Sequence, residues 1–126
     1  MSQFWLKNPL SLHDKRIWVA GHNGMVGQAM CRTLADEGCR IITAARQELD
    51  LRDQATTHRW ISRHQPDMIV IAAAKVGGIL ANDTYPADFL YDNAMITLNI
   101  LHSAYECGVK HVLNLGSSCI YPKEAK

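Results

Sequence analysis

The chain has 126 residues, 48% of them hydrophobic and 20% charged, which allows one domain with one core and is too apolar for a disordered segment. Thirteen Lys and Arg against twelve Asp and Glu leave a formal charge of +1, and without a basic stripe nucleic acid is set aside as a partner. The longest apolar run, Met68 to Ala74, is far shorter than the ~20 residues that a membrane span needs.

Residues 1–15 read as a polar lead-in with Phe4 and Trp5 as apolar anchors and no secretory pattern. Residues 16–126 read as one domain, without repeats or a Pro-rich linker. The cysteines Cys31, Cys39, Cys107 and Cys119 show no CxxC spacing. Reduced thiols and a cytoplasmic location are the simplest expectation.

The first element is Arg16 to Ala20, an apolar run ending at glycine that suits a buried strand. Met25 to Glu37 carries apolar residues at helical spacing, with Gly38 as its stop. Cys39 to Ala44 is a second short strand pattern, and Asp53 to His64 a weaker helix with Ala55, Trp60 and Ile61 expected to face inward. Asp67 to Ala73 is apolar on both faces, as in the middle of a parallel sheet. Pro86 to Cys107 is the longest helical pattern, with Phe89, Leu90, Ala94, Leu98, Leu101 and Ala104 forming its expected buried stripe. Val112 to Gly116 is the last strand. This alternation predicts an α/β fold, a doubly wound parallel sheet of the Rossmann type with right-handed crossovers.

Between the first strand and the first helix lies Gly21-His22-Asn23-Gly24-Met25-Val26-Gly27. Glycines at this junction let the chain turn sharply, bring backbone close to a pyrophosphate and aim the helix N-terminus at an anion. Gly21 to Gly27 are therefore candidate dinucleotide-binding residues, with His22 a loop residue near the phosphates. An ordinary turn ahead of a close-packed helix would use the same glycines. Enzymes that use NAD place an acidic residue at the end of the second strand, to bind the ribose 2′-hydroxyl. Here the tip reads Thr43-Ala-Ala-Arg46, and an arginine suits a 2′-phosphate, which favours NADP. Glu48 or Asp50 remains within reach of the ribose, and Asp50 and Leu51 are expected to border the adenine.

Three further segments are Ala72-Ala73-Ala74-Lys75-Val-Gly-Gly78, Thr84-Tyr-Pro-Ala-Asp88 and Leu115-Gly116-Ser117-Ser118-Cys119-Ile-Tyr-Pro122. With the glycine loop and Arg46 they closely resemble the GDP-L-fucose synthase family of extended short-chain dehydrogenase/reductases, from about Arg16 to the last residue. The resemblance implies NADP as cofactor, with Ala73, Ala74, Lys75 and Leu115 to Ser118 lining its site. It implies a GDP-sugar substrate, GDP-4-keto-6-deoxy-mannose, epimerised at C3 and C5 and reduced at C4, and a homodimer packed through the long helix. Ser117 is implied to hydrogen-bond the C4 oxygen and Cys119 to serve as the acid or base for epimerisation. A thiol suits that step, since the C4 ketone stabilises the enolate and a thiol pKa can be moved close to neutral.

One feature departs from the family. Its Tyr-x-x-x-Lys pair is missing, because no tyrosine here has a lysine four residues on; Tyr121 is followed by Lys123 and Lys126. The partner histidine and the substrate domain are missing as well. The expectation is thus the N-terminal part of such an enzyme, inactive by itself, with no metal site. Another NAD(P)-dependent nucleotide-sugar epimerase or dehydratase, or a non-catalytic dinucleotide-binding module, stays open as an alternative.

Overall fold

Arg16–Ala20 forms the central strand β1, buried almost from end to end. In this computed structural model residues 10–117, 121, 122 and 124 are described. Most of the 1–15 lead-in, with Phe4 and Trp5, and the positions Ser118 and Cys119 lie outside them. After β1 come helix α1 (Met25–Ala35), strand β2 (Arg40–Ile42), helix α2 (Gln54–His64), strand β3 (Met68–Ile71), helices α3 (Ile79–Thr84) and α4 (Pro86–Glu106), and strand β4 (His111–Asn114).

The strands pair in the order β2-β1-β3-β4, all parallel. Trp18 stands opposite both Ile42 and Ile69, and Ile71 opposite Asn114. From β1 the chain crosses to β2, then reverses past β1 to reach β3. Right-handed crossovers in opposite directions put their helices on opposite faces. Ile17, Val19 and Val70 accordingly pack with Leu34 of α1 on one face. On the other, Trp18, Ala20, Ile69 and Ile71 pack with Ile61 of α2 and Ile100 and Ala104 of α4. Fully burying one such Ile contributes about 1.5–3 kcal/mol.

Local chemistry sets the helix limits. Gly38, at φ 65, reverses the chain after α1, two residues before β2. The Asp53 carboxylate caps α2 by accepting from the Thr56 N–H at 2.8 Å. Pro86 opens α4, where its missing N–H costs no helical bond.

The structure corrects several sequence expectations. β2 and β3 are shorter than predicted, and β4 ends at Asn114 rather than Gly116, although Leu115 N still donates to Ile71 O at 3.2 Å. On α2, Ala55 is exposed, whereas Ile61 is buried and Trp60 packs against the core as expected, and Thr57 is buried beside them. A six-residue helix, α3, precedes Pro86 where no element was expected. The largest revision concerns α4. Its buried side holds Asp92, Asn99, Ile100, Ser103 and Ala104, while Leu90, Leu98 and Leu101 of the expected stripe are exposed. The helix is rotated from its leucine stripe and turns Asp92 and Asn99 inward, where Lys75 donates to Asp92 and Asn99 donates to the Leu51 carbonyl.

Candidate functional site

The direction of winding changes between β1 and β3, so the loops leaving their C-terminal ends part and open a crevice. In α/β sheets that crevice is where ligands bind. Here it is a cleft of about 210 Å³. Gly21 to Gly24, Ala44 and Arg46, Leu49 to Arg52, and Ala72 to Lys75 form its walls, with Trp18, Asp92 and Ile96 completing it.

The glycine loop is shaped by backbone contacts. Gly21 has φ 89, and a Cβ there would lie 2.5 Å from Ala73 N, so only glycine lets the β1 and β3 loops touch. Gly27 sits in the first turn of α1, where a Cβ would lie 2.1 Å from the Gly21 carbonyl oxygen. Gly24 is the N-cap of α1 and offers no side-chain cap, and the first turn has no acidic residue. The first-turn N–H groups and the positive end of the helix dipole are thus left for an anion. Met25, at 86% exposure, and Val26 do not line the cleft.

At the opposite wall the Glu48 carboxylate folds back on the Ala45 N–H at 3.4 Å and does not line the cleft. Arg46 does line it. Asp50 is there too, but its carboxylate is already engaged. Arg52 donates from Nε to Oδ1 at 3.0 Å, from a terminal nitrogen to Oδ2 at 2.8 Å, and from its backbone N–H to Oδ1 at 3.0 Å. The Arg52 hydrogen bonds hold the Asp50 carboxyl down at about 2.

Asp92 on α4, with 12% of its side chain exposed, accepts from Lys75 Nζ at 2.8 Å and from Arg52 at 3.5 Å. The Lys75 ammonium, ahead of burial and Arg52, sets the direction of its lowered pKa. Asn93 holds the Lys75 backbone from both sides, accepting its N–H at 2.7 Å and donating to its carbonyl at 3.1 Å. Asn99 donates to Leu51 O at 3.0 Å. Two stretches of α4, about two turns apart, thereby hold both walls.

A match to the model of the NAD dependent epimerase/dehydratase family runs over residues 17–126. The chain belongs to that family. The GDP-L-fucose synthase of Sinorhizobium fredii is 53% identical to it over 118 residues, 93% of this chain and 38% of that protein. Among solved structures, the GDP-mannoheptose C4 reductase of Campylobacter jejuni with NADP bound superposes with a TM-score of 0.84 at 33% identity, covering 90% of this chain and 36% of that one. A GDP-L-fucose synthetase of Naegleria fowleri bound to NADP gives 0.82 at 28%, covering 95% and 39%. The chain therefore spans well under half the length of these relatives.

Of the positions that sequence singled out, the fold gathers Gly21, His22, Asn23, Gly24, Arg46, Asp50, Leu51, Ala73, Ala74 and Lys75 around one cleft. Leu115, Gly116 and Ser117 follow β4, two strands away from β1, and do not line it; all three are exposed. Ser118 and Cys119 lie outside the described residues. Arg52, Asp92, Asn93 and Asn99 were missed. Arg52 was legible as the i+2 neighbour of Asp50, whereas Asp92 and the two asparagines read as the polar side of an amphipathic helix. Among the described residues no helix is long and apolar enough to cross a membrane.

Proposed function

We propose that this chain is the NADP-binding part of a GDP-L-fucose synthase, an enzyme that epimerises GDP-4-keto-6-deoxy-D-mannose at C3 and C5 and reduces C4. The observation that carries the cofactor reading is the pairing, across one cleft, of an uncapped helix N-terminus with Arg46, while Glu48 is folded back and Asp50 is held by Arg52. The residues fit the group. The pyrophosphate would meet the first-turn N–H groups of Met25 to Gly27 beside Gly21 to Gly24. Arg46 would pair with the 2′-phosphate, Asp50 and Leu51 would border the adenine, and Ala73 to Lys75 would flank the path towards nicotinamide. NADPH supplies the hydride for C4.

Leu115 to Ser118 belong to the nicotinamide side in this reading. Ser117 donates to the C4 oxygen, and Cys119 exchanges the proton beside the ketone. For Ser117, position just beyond a parallel strand's C-terminal end supports the role. The cytoplasm is the compartment this reading implies, and the free thiols Cys31, Cys39 and Cys107 are in keeping with it.

The reading extends to a homodimer through α4. Its outward side exposes Leu90, Tyr91, Leu98 and Tyr105 by 73, 63, 60 and 82%, a patch of the kind that marks an interface. Met95 and Ile96 of the same helix are only partly exposed, and Ile96 packs against the core.

Calorimetry with NADPH and NADH tests the cofactor reading. NADPH is expected to bind more tightly, and Arg46→Ala to weaken it about 10- to 100-fold, the value of a charge-assisted paired contact. Equal affinities that the substitution leaves unchanged would refute it.

A further inference from the structure

The cleft contains a carboxylate where an NADP site should avoid one. Asp50 lines the same wall as Arg46, close enough for Arg46 to add to the pull on its carboxyl. A bare carboxylate near the ribose is the usual means of favouring NAD, since it accepts from the 2′-hydroxyl and repels a 2′-phosphate. Here both of its oxygens are taken up by the fork of Arg52. A planar guanidinium matches a carboxylate in this two-pronged way, which a lysine cannot do.

The fork is itself anchored. The remaining terminal nitrogen of Arg52 reaches Asp92, whose second oxygen takes Lys75. The charged side chains lining the cleft are thus three cations and two carboxylates, Arg46, Arg52 and Lys75 against Asp50 and Asp92. Asp50, Arg52, Asp92 and Lys75 pair among themselves. Among the described residues Arg46 takes no part in an ion pair, and the one net positive charge falls at its position.

We propose that Arg52 is a specificity-determining residue for the 2′-phosphorylated dinucleotide: by holding Asp50 in a two-pronged ion pair it cancels the charge that would repel the 2′-phosphate beside Arg46. Arg52 acts through Asp50 and is a positioning residue, not a phosphate ligand. The proposal rests on the NADP reading above. A unit charge facing a doubly charged phosphate about 8 Å away, through a medium close to water, changes affinity by a factor of about 5 to 10.

The test measures NADPH and NADH binding by calorimetry for the unaltered chain, Arg52→Met and the double variant Asp50→Asn/Arg52→Met, at low and high salt, with melting curves for each. Arg52→Met is expected to weaken NADPH about 5- to 10-fold with NADH nearly unchanged, and salt is expected to shrink the loss. Restoring the NADPH preference by adding Asp50→Asn is the decisive result, because it removes the exposed charge without replacing the arginine. Persistent loss in the double variant would mean that Arg52 touches the phosphate itself, and the proposal falls. Equal loss for both dinucleotides, or no loss, overturns it too. If the unaltered chain binds neither dinucleotide, the NADP reading fails first and this proposal with it. An unaltered chain that prefers NADPH and an Arg52→Met variant with the same preference refute the proposal alone.

Discussion

The three glycines of the first loop have different tasks, and substituting each by alanine separates them. At Gly27 the added Cβ would stand 2.1 Å from the Gly21 oxygen and 2.8 Å from both Gly21 C and His22 Cα. Non-bonded heavy atoms are best about 3.5–4.0 Å apart, and backbone cannot rotate aside. Overpacking of this kind costs about 1–3 kcal/mol or more, against at most ~1 kcal/mol gained in helix propensity, so a net loss of about 2 kcal/mol is expected. For a chain of this size that lowers the melting temperature by about 8 °C. Gly21→Ala adds positive-φ strain to its contacts with Ala73 and should cost more, about 3–5 kcal/mol. Gly24 differs, because its φ of −74 and ψ of 165 suit any residue and its Cβ would meet only Gly21 O, at 3.4 Å. Gly24→Ala should cost about 0.5 kcal/mol, the cap preference alone, yet still weaken NADPH by adding a methyl where the pyrophosphate approaches. Urea and thermal unfolding, run beside calorimetric titration, read both quantities. If Gly24→Ala destabilises as much as Gly27→Ala, or if Gly27→Ala is tolerated, backbone clearance is not what these glycines provide.

Acid should unfold the chain through carboxylates that the fold keeps ionised. Asp50, Asp53, Asp67 and Asp92 all have lowered pKa values, through hydrogen bonds from Arg52, Thr56, Arg16 and Lys75 respectively. A depressed carboxyl stabilises the fold above its unfolded value of about 3.9. That contribution is lost as pH falls towards about 2, the Asp50 value. A melting temperature that stays flat between pH 5 and 2 would contradict this. The exposed side of α4 should drive self-association, and Leu98→Glu should weaken it. Sedimentation at several concentrations checks this, and a monomer throughout would remove the homodimer reading.

The order of elements and the fold class were readable in the sequence, because strand and helix periods alternate with little interruption and right-handed crossovers leave few topologies. The glycine loop was readable for the same local reason, since a strand, a turn without side chains and a helix stand next to one another in the chain. Arg46 was readable as the residue found where a carboxylate is usual. The rotation of α4 was not. Its leucines mark the more apolar stripe, and that stripe would be buried if apolar area alone decided. Asp92, Asn93 and Asn99 find partners at Lys75, Arg52 and Leu51, 17 to 48 residues away in the chain. Only tertiary structure brings those partners within reach, and with Asp92 and Asn99 turned to them Leu90 and Leu98 are left exposed. The state of Asp50 was hidden for a similar reason. Its partner is two residues away, but only the folded chain shows Arg52 turned to Asp50, at 2.8 Å, with its other edge 3.5 Å from Asp92.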